Sequence, residues 1–115
     1  MSNLNGLYSD GSICFAEPIE QNGERQLKVS FRAVAPSEIK KAWVRYAPDG
    51  EGEYKLMKKY NGDTFERWEA KLPLRWKKLG YRFEFLTNHG LMYLNQQGLN
   101  TLAPNDDCDF VHLDE

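Results

Sequence analysis

Apolar and polar residues alternate in two segments of this chain, and the alternation favours strands that bury one face. From Leu27 to Ala33 every second residue is apolar, and Tyr81, Phe83 and Phe85 recur at the same interval. A period of two places successive side chains on opposite faces of a β-strand, so one face of each segment is expected to be buried. The residues predicted to point into the core are Leu27, Val29, Phe31, Val44, Trp68, Ala70, Tyr81, Phe83 and Phe85.

Turn-forming residues divide the chain into short segments. Asn22-Gly23, Asn61-Gly62-Asp63 and Asn88-His89-Gly90 are typical of the tight turns that join antiparallel strands. The expected strands are 26–34, 39–46, 53–60, 64–72, 79–87, 91–94 and 109–113, with a short apolar run at 13–15. No helical apolar spacing is found. Residues 1–115 are therefore predicted to form one all-β domain, an antiparallel, immunoglobulin-like β-sandwich of seven to eight strands.

The segment 53–60 has no clear facing, because two large apolar residues, Leu56 and Met57, are adjacent in it. A regular strand would place them on opposite faces. The charged residues from Glu51 to Lys78 are interpreted as solvated side chains on strand edges and turns.

Charge and hydropathy exclude two classes of partner. The formal net charge of −2 argues against nucleic-acid binding, which requires a surface that neutralises phosphates. No window of the sequence approaches the roughly 20 apolar residues of a membrane span, so no membrane partner is expected.

The ends of the chain bear on its compartment. The opening residues, Met1–Asn5, have neither the basic n-region nor the apolar h-region of a secretory signal, which favours a cytoplasmic location. Cys14 and Cys108 lie near opposite ends, which often meet in a small domain, but disulfides are rare in the cytoplasm. Whether these two cysteines pair is left open.

Residues with catalytic chemistry are few. His89 and His112 are far apart in the sequence, and no phosphate-binding loop, HExxH motif or CxxC pair is present. We therefore expect neither enzymatic activity in this chain nor a cofactor. The acidic run Asn105–Asp109 has oxygen ligands for Ca²⁺, but it lacks the glycine and the downstream glutamate of a calcium-binding loop. Its residues are better explained as a turn, so no metal site is predicted.

Aromatic residues are in excess of what a small β-core needs, with 3 Trp, 6 Tyr and 6 Phe. Some rings should lie on the surface, where flat rings on a rigid sheet suit sugar rings, bases or another protein. Trp43 falls on the polar face of its strand, which leaves exposure or partial burial under a loop open. Trp76 lies in a basic turn, and Tyr93 is followed closely by the amide of Asn95.

The order of several segments resembles a known family. The segments are Asn5–Asp10, Gln26–Arg32, Ile39–Tyr46, Phe65–Ala70 with its Phe-x-x-Trp pattern, Leu79–Phe85, Tyr93–Gly98, Ala103–Asp107 and Phe110. Together they are similar to the N-terminal starch-binding domain, carbohydrate-binding module family 34, of neopullulanases, cyclomaltodextrinases and related α-amylases.

The resemblance implies a module that binds α-glucan, such as starch, maltooligosaccharide or cyclodextrin, as the N-terminal domain of an α-amylase-family glycoside hydrolase. In that family a catalytic barrel follows the domain, whereas this sequence reaches Glu115 before any barrel sequence. The barrel of its own chain or of a partner subunit is therefore an expected partner.

A sugar ligand also indicates which residues bind it. The C–H faces of glucose stack on Trp and Tyr, and its hydroxyls need polar groups such as amides. The expected ligand-binding residues are therefore Trp43, Tyr93, Trp76 and Asn95.

Two other functions stay open. The chain could be an interaction domain that mediates dimerisation of such an enzyme without binding glucan. It could also be an immunoglobulin-like structural or adhesion module unrelated to sugars. Titration with cyclodextrin or maltoheptaose distinguishes the α-glucan-binding module from these two alternatives.

Overall fold

Two antiparallel sheets pack face to face, as the alternation predicts. In the computed structural model the described residues are 7–9, 15–34, 37–47, 52–74, 78–96, 98–100 and 110–113. Within these ranges there are ten strands and no helix. The strands are β1 (Ala16–Gln21), β2 (Glu24–Val34), β3 (Lys41–Ala47), β4 (Glu53–Leu56), β5 (Lys58–Asn61), β6 (Phe65–Pro73), β7 (Lys78–Thr87), β8 (Gly90–Asn95), β9 (Gly98–Asn100) and β10 (Phe110–Leu113).

The strand order brings distant parts of the chain together. The four-stranded sheet has the order β1-β2-β6-β5. In the six-stranded sheet five strands follow the order β4-β3-β7-β8-β9, and the sixth, β10, also pairs with β7. Strand β10 pairs with the first residues of β7, and β8 pairs with the later residues of the same strand. The strand β7 is thus central, because β3 covers its other edge.

The core lies between the facing sides of the two sheets. All nine residues predicted to point inward are buried. Phe31 of β2 joins the sheets, since its ring centroid lies 5.2 Å from that of Phe83 and 5.7 Å from that of Phe85, both on β7. Within its own sheet Phe31 stacks on Trp68 at 6.2 Å. Burial of a large apolar side chain contributes about 1.5–3 kcal/mol, so this aromatic cluster is a main source of stability.

The Asn-Gly turn predicted between the first two strands is present. Asn22 and Gly23 have φ angles of 55° and 78°. Positive φ at both central residues is the conformation of a type I′ turn, whose twist matches that of paired strands. The register of β1 on β2 runs from Gln21 opposite Glu24 to Ala16 opposite Val29.

The segment 53–60 differs from the prediction, because it is two strands rather than one. Strand β4 belongs to the six-stranded sheet and β5 to the four-stranded sheet. Met57 lies between them, is buried, and donates its N–H to the Ala42 carbonyl at 2.9 Å. Leu56 stays exposed. The adjacent apolar pair that obscured the facing marks the point where the chain crosses from one sheet to the other.

The number of strands is also higher than the seven to eight predicted. Splitting 53–60 adds one strand, and β9 lies between the strands predicted at 91–94 and 109–113, where no strand was predicted. Strand β1 begins just after the apolar run at 13–15. These strands escape sequence analysis because short edge strands have little apolar alternation.

The charge pattern predicted that Glu66 of β6 is solvated, and this prediction is wrong. The Glu66 side chain is buried, with 1% of its surface exposed. Its carboxylate accepts hydrogen bonds from the Ser37 N–H at 3.1 Å, from the Ser37 hydroxyl and from the Trp68 indole N–H at 3.3 Å. The Lys59 ammonium lies 3.5 Å away. These partners make burial of the charge tolerable and tie the segment before β3 to the four-stranded sheet.

Several sequence predictions fall outside the described residues, namely those on Cys14, Trp76, Asn105–Asp109 and Cys108. Among the residues that are described, no three His, Cys, Asp or Glu side chains form a group able to hold a metal ion. The same residues include no helix long and apolar enough to cross a membrane.

Candidate functional site

The outer face of the six-stranded sheet carries Trp43 and Tyr93 in one cross-strand row. Trp43 of β3 pairs with Glu84 of β7, and Glu84 pairs with Tyr93 of β8. Leu56 of β4 continues the row beyond Trp43. Neighbouring strands lie about 4.8 Å apart, which places the backbones of the two aromatic residues about 10 Å from each other. We call Leu56, Trp43, Glu84 and Tyr93 the aromatic row.

The alternation along each strand directs the two rings outward. The neighbours of Trp43 in β3, Ala42 and Val44, are fully buried in the core. The neighbours of Tyr93 in β8 are buried as well. Trp43 and Tyr93 therefore take the opposite face, where both are half-buried rather than fully exposed.

Glu84 lies between the rings and is only 8% exposed, although it is on an outer face. Its Oε2 atom is 3.5 Å from Arg82 Nε. The Tyr54 hydroxyl, from β4, reaches across β3 to donate a hydrogen bond to the same carboxylate. A buried charge is costly without partners, so Arg82 and Tyr54 are what allow a carboxylate to stay in the middle of the row.

The environment of Tyr54 changes the pKa of its phenol group. Partial burial of the phenol group raises the pKa of Tyr54 above 10.0, and the negative charge of Glu84 raises it further. The nearby cations Arg45 and Arg82 act in the opposite direction but do not cancel the effect. Tyr54 is therefore a neutral hydrogen-bond donor at physiological pH.

Exposed apolar surface extends the row toward the edge of the sheet. Tyr54 is 58% exposed and Leu56 is 61% exposed, both on the edge strand β4. Arg45 of β3 pairs with Tyr54 on one side and with Arg82 on the other. The face thus combines flat apolar rings with polar groups that are held in place by their neighbours, an arrangement suited to non-covalent binding.

The four predicted ligand-binding residues do not all lie together. Trp43 and Tyr93 share the aromatic row. Asn95 is two residues beyond Tyr93 on β8 but is 2% exposed, so it is not part of the open surface. It lines a cavity of about 300 Å³ at the end of β8. Trp76 falls outside the described residues.

Two residues of this face were missed in the sequence, Tyr54 and Glu84. Tyr54 lies in the segment whose facing was ambiguous, so its side could not be assigned. Glu84 alternates with Phe83 and Phe85, which placed it on the outer face, but nothing in the sequence indicated that it would be buried there. Its burial depends on Tyr54 and Arg82, which pair with it only in the folded sheet.

No protein-family model and no curated protein matches the sequence. Solved structures do. The chain resembles a cyclomaltodextrinase with a TM-score of 0.79 and 19% sequence identity over 96% of this chain and 19% of that one. It also resembles the carbohydrate binding module of the muscle glycogen-targeting subunit of protein phosphatase-1, in a solution structure, with a TM-score of 0.62 and 14% identity. That match covers 98% of this chain and 92% of the module.

The two matches differ in how much of the other protein they include. This chain spans about a fifth of the cyclomaltodextrinase but nearly all of the glycogen-targeting module. At such low identities the likeness concerns the fold. The chain therefore has the β-sandwich fold of a carbohydrate-binding module.

Proposed function

We propose that this chain is a non-catalytic α-glucan-binding module and that it binds its ligand across the aromatic row. The observation that carries the proposal is the placement of Trp43 and Tyr93 on one face, two strands apart, with fixed polar groups around them. Glucose units have apolar C–H faces and polar rims, so two rings separated by about 10 Å can each stack on a different unit of the same glucan chain.

The polar groups of the face add orientation. Tyr54 and Arg45 are paired one register step along β4 and β3 from Leu56 and Trp43, and Tyr54 interacts with Glu84 of the row. Sugar hydroxyls both donate and accept hydrogen bonds, so a mixture of donors and acceptors fits them better than a face of one charge. The exposed Leu56 side chain, on the edge strand β4, would cover a further part of the glucan chain.

The resemblance of several segments to carbohydrate-binding module family 34 supports a finer version of the proposal. In this version the ligand is starch, maltooligosaccharide or cyclodextrin, the protein acts in the cytoplasm, and the module precedes the barrel of an α-amylase-type hydrolase. The match to about a fifth of a cyclomaltodextrinase supports this arrangement, since a module of this size occurs there within a longer chain.

The direct test is a titration of the 115-residue chain with maltoheptaose and with β-cyclodextrin, followed by the indole and tyrosine resonances in NMR spectra. We expect saturable shifts at Trp43 and Tyr93 with both sugars. Cellohexaose, which has the same sugar units in β-linkage, is the matched control for the α-linkage. An absence of shifts with millimolar maltoheptaose would contradict glucan binding.

A second candidate is an interaction domain that supports dimerisation of an enzyme. The observation that favours it is the exposed apolar pair on β10, Val111 and Leu113, which lies apart from the aromatic row. Protein partners bury such patches. Sedimentation of the protein with and without Leu113→Asp tests this candidate, because a dimer that uses β10 as its interface would dissociate in the variant.

A further inference from the structure

The outer face of the four-stranded sheet carries a second cross-strand row. Tyr60 of β5 pairs with Arg67 of β6, and Arg67 pairs with Arg32 of β2. Two backbone hydrogen bonds, of 2.9 and 3.0 Å, then join Arg32 to Tyr8. We call Tyr60, Arg67, Arg32 and Tyr8 the arginine row. It lies on the opposite side of the sandwich from the aromatic row, so the two rows are separate surfaces.

The side chains of the arginine row point away from the core. The neighbours of Arg32 in β2 are Phe31 and Ala33, which are fully buried, whereas Arg32 itself is exposed. This alternation places Arg32 on the outer face of the sheet. Tyr8 and Tyr60 are both nearly half exposed. A ligand can therefore reach the row from solvent.

Two aromatic rings hold the Arg32 guanidinium. Its Cζ atom lies 4.8 Å from the centroid of the Phe65 ring and 5.6 Å from that of the Tyr8 ring. These cation–π contacts join the charge to ring faces and do not use the N–H groups as hydrogen-bond donors. The guanidinium thus presents a planar set of donors whose position is limited by the rings, which suits an anion that accepts two hydrogen bonds at once.

Arg67 adds a second cation directly opposite Arg32. Like charges at directly opposite positions of a sheet destabilise it. Part of this repulsion is relieved by Glu69, whose carboxylate oxygen lies 3.1 Å from Arg67 Nε. The Nη2 atom of Arg67 donates a hydrogen bond to the Ser30 hydroxyl at 2.8 Å. An anion bound at Arg32 would relieve the repulsion from the other side of the pair.

The charge of this surface indicates the charge of its ligand. The row beside the arginine row consists of Lys58, Glu69 and Ser30. The two rows therefore contain three cations, Arg32, Arg67 and Lys58, and one carboxylate. A phosphate monoester carries a charge of about −1.5 to −2 at neutral pH, which is close to the opposite of this excess. A single carboxylate would balance only half of it.

The exposed rings indicate what carries the phosphate. Tyr8 and Phe65 flank the Arg32 guanidinium and keep more than a third of their surface exposed. The C–H face of a sugar ring packs on such rings, and a phenol hydroxyl exchanges hydrogen bonds with sugar hydroxyls. The surface thus combines an anion-binding group with rings on either side of it.

We infer that the arginine row binds a phosphate monoester carried by a glucose unit, with the phosphate at Arg32 and the sugar beside Tyr8 and Phe65. This site is additional to the proposed glucan site on the aromatic row and does not depend on it. The ester belongs either to a free sugar phosphate or to one unit of a glucan chain, and both present the same group to Arg32.

The test is a titration of the ¹⁵N-labelled 115-residue chain at constant ionic strength, followed by NMR. Glucose 6-phosphate supplies the free ester, and maltoheptaose with a single 6-phosphate supplies the ester on a chain. We expect saturable shifts at the Arg32 side-chain N–H and at the rings of Tyr8 and Phe65, and none there with glucose. A response to only one of the two esters would identify the source and support the site. A response to neither would overturn the inference.

Two further ligands test the sugar and the phosphate separately. Adenosine monophosphate offers the same phosphate group with a base and a different sugar, and a hexaglutamate peptide offers carboxylates. Each is expected to bind about tenfold more weakly than the better of the two glucose esters. An equal or tighter affinity for the nucleotide or for the peptide would overturn the assignment, because it would show that the site selects that class of ligand instead.

Variants locate the phosphate at one residue. Arg32→Gln should weaken binding by about tenfold or more, because it removes charge-assisted hydrogen bonds. Arg32→Lys keeps the charge without the planar donors and should recover only part of the loss. Lys71→Gln removes an exposed cation from the same face and is the matched control, with an expected change of less than about twofold. Equal losses in Arg32→Gln and Lys71→Gln would indicate attraction by overall charge and would refute the site.

Phe65→Leu provides a test that does not alter Arg32, in case the arginine variants fail to fold. Loss of the ring contact should weaken binding by about two- to fivefold. Unchanged binding in this correctly folded variant would contradict the role of the ring. A thermal melt of each variant checks the fold.

The resonances of Trp43 and Tyr93 report on the proposed function in the same samples. If maltoheptaose shifts them and neither phosphate ester shifts Arg32, this inference fails and the proposed function stands. If only Arg32 responds, the inference is supported and the aromatic row fails as the glucan site. If no residue responds to any sugar, both proposals fail.

Discussion

Trp43 on β3 and Tyr93 on β8 lie in a single row across the outer face of the six-stranded sheet, with Glu84 of β7 between them. The two aromatic residues are far apart in the sequence and meet because β3 and β8 pair with opposite edges of β7. This relationship joins two aromatic residues that are distant in the sequence into one surface.

Removal of either ring should weaken glucan binding without unfolding the protein. Trp43→Ala and Tyr93→Ala are each expected to raise the dissociation constant for maltoheptaose by about tenfold or more, since a stacking ring contributes at least about 1–2 kcal/mol. Isothermal titration calorimetry measures the change, and a thermal melt checks the fold. Tyr60→Ala, at an exposed tyrosine of β5 in the other sheet, is the control and should bind as the parent does. If the parent binds and both variants match it, the site lies elsewhere.

Phe83→Ala tests the core. The ring is fully buried and contacts Phe31, Tyr81 and Phe110 at centroid distances between 5.2 and 5.8 Å. Truncation leaves a cavity between the sheets and should cost about 3–5 kcal/mol, or about 10 °C or more in Tm. Urea unfolding measures the loss. A variant that melted within a degree or two of the parent would contradict the inward assignment of this residue.

Glu84→Gln tests the coupling between the row and Tyr54. The variant removes a negative charge that helps to raise the pKa of Tyr54, so that pKa should fall toward 10.0. It should not return fully, because partial burial is the larger cause of the shift. The titration is followed by the ring resonances of Tyr54. Glu53→Gln, an exposed glutamate next to Tyr54 in β4, is the control, and an equal fall in that variant would argue against a specific contact.

Acid should destabilise the protein through Glu66. Burial alone would raise the pKa of this carboxyl, but hydrogen bonds from Ser37 and Trp68 and the charge of Lys59 hold the pKa below 4.5 in the folded state. A carboxyl with a lowered pKa stabilises the fold fully above its unfolded value, and this stabilisation is lost as the pH falls through the folded value. The free energy of unfolding should thus decline below about pH 4.5 in the parent.

The matched variant for this effect is Glu66→Gln, which keeps the shape of the side chain and removes the titration. It should be less stable than the parent by about 2 kcal/mol at pH 7, and the difference should shrink as the pH falls below 4.5. Glu20→Gln, at an exposed glutamate on β1, should change stability by less than about 1 kcal/mol. A difference between parent and Glu66→Gln that stayed constant from pH 7 to pH 3 would refute the role of this carboxyl.

Local pattern was sufficient for the core and for most strands. Alternation assigned Leu27 to Ala33 and Tyr81 to Phe85 to buried faces because a strand has a period of two wherever it lies in the fold. The Asn22-Gly23 turn could also be predicted from the sequence, because a type I′ turn needs positive φ at both central residues and Asn-Gly adopts it readily. Trp43 was placed on the outer face by the same argument.

The sequence by itself determined the long alternating strands and which side of each of them is apolar, because both depend on near neighbours in the chain. Only the tertiary structure decided that residues 53–60 divide between two sheets and that Glu66 and Glu84 are buried. It also decided that residues 7–9 meet residues 94–96, 98 and 99 around a cavity. These features depend on strand order and on contacts between residues distant in sequence, where hydrogen bonds and ion pairs compensate the desolvation of charge. No period along the chain carries that information.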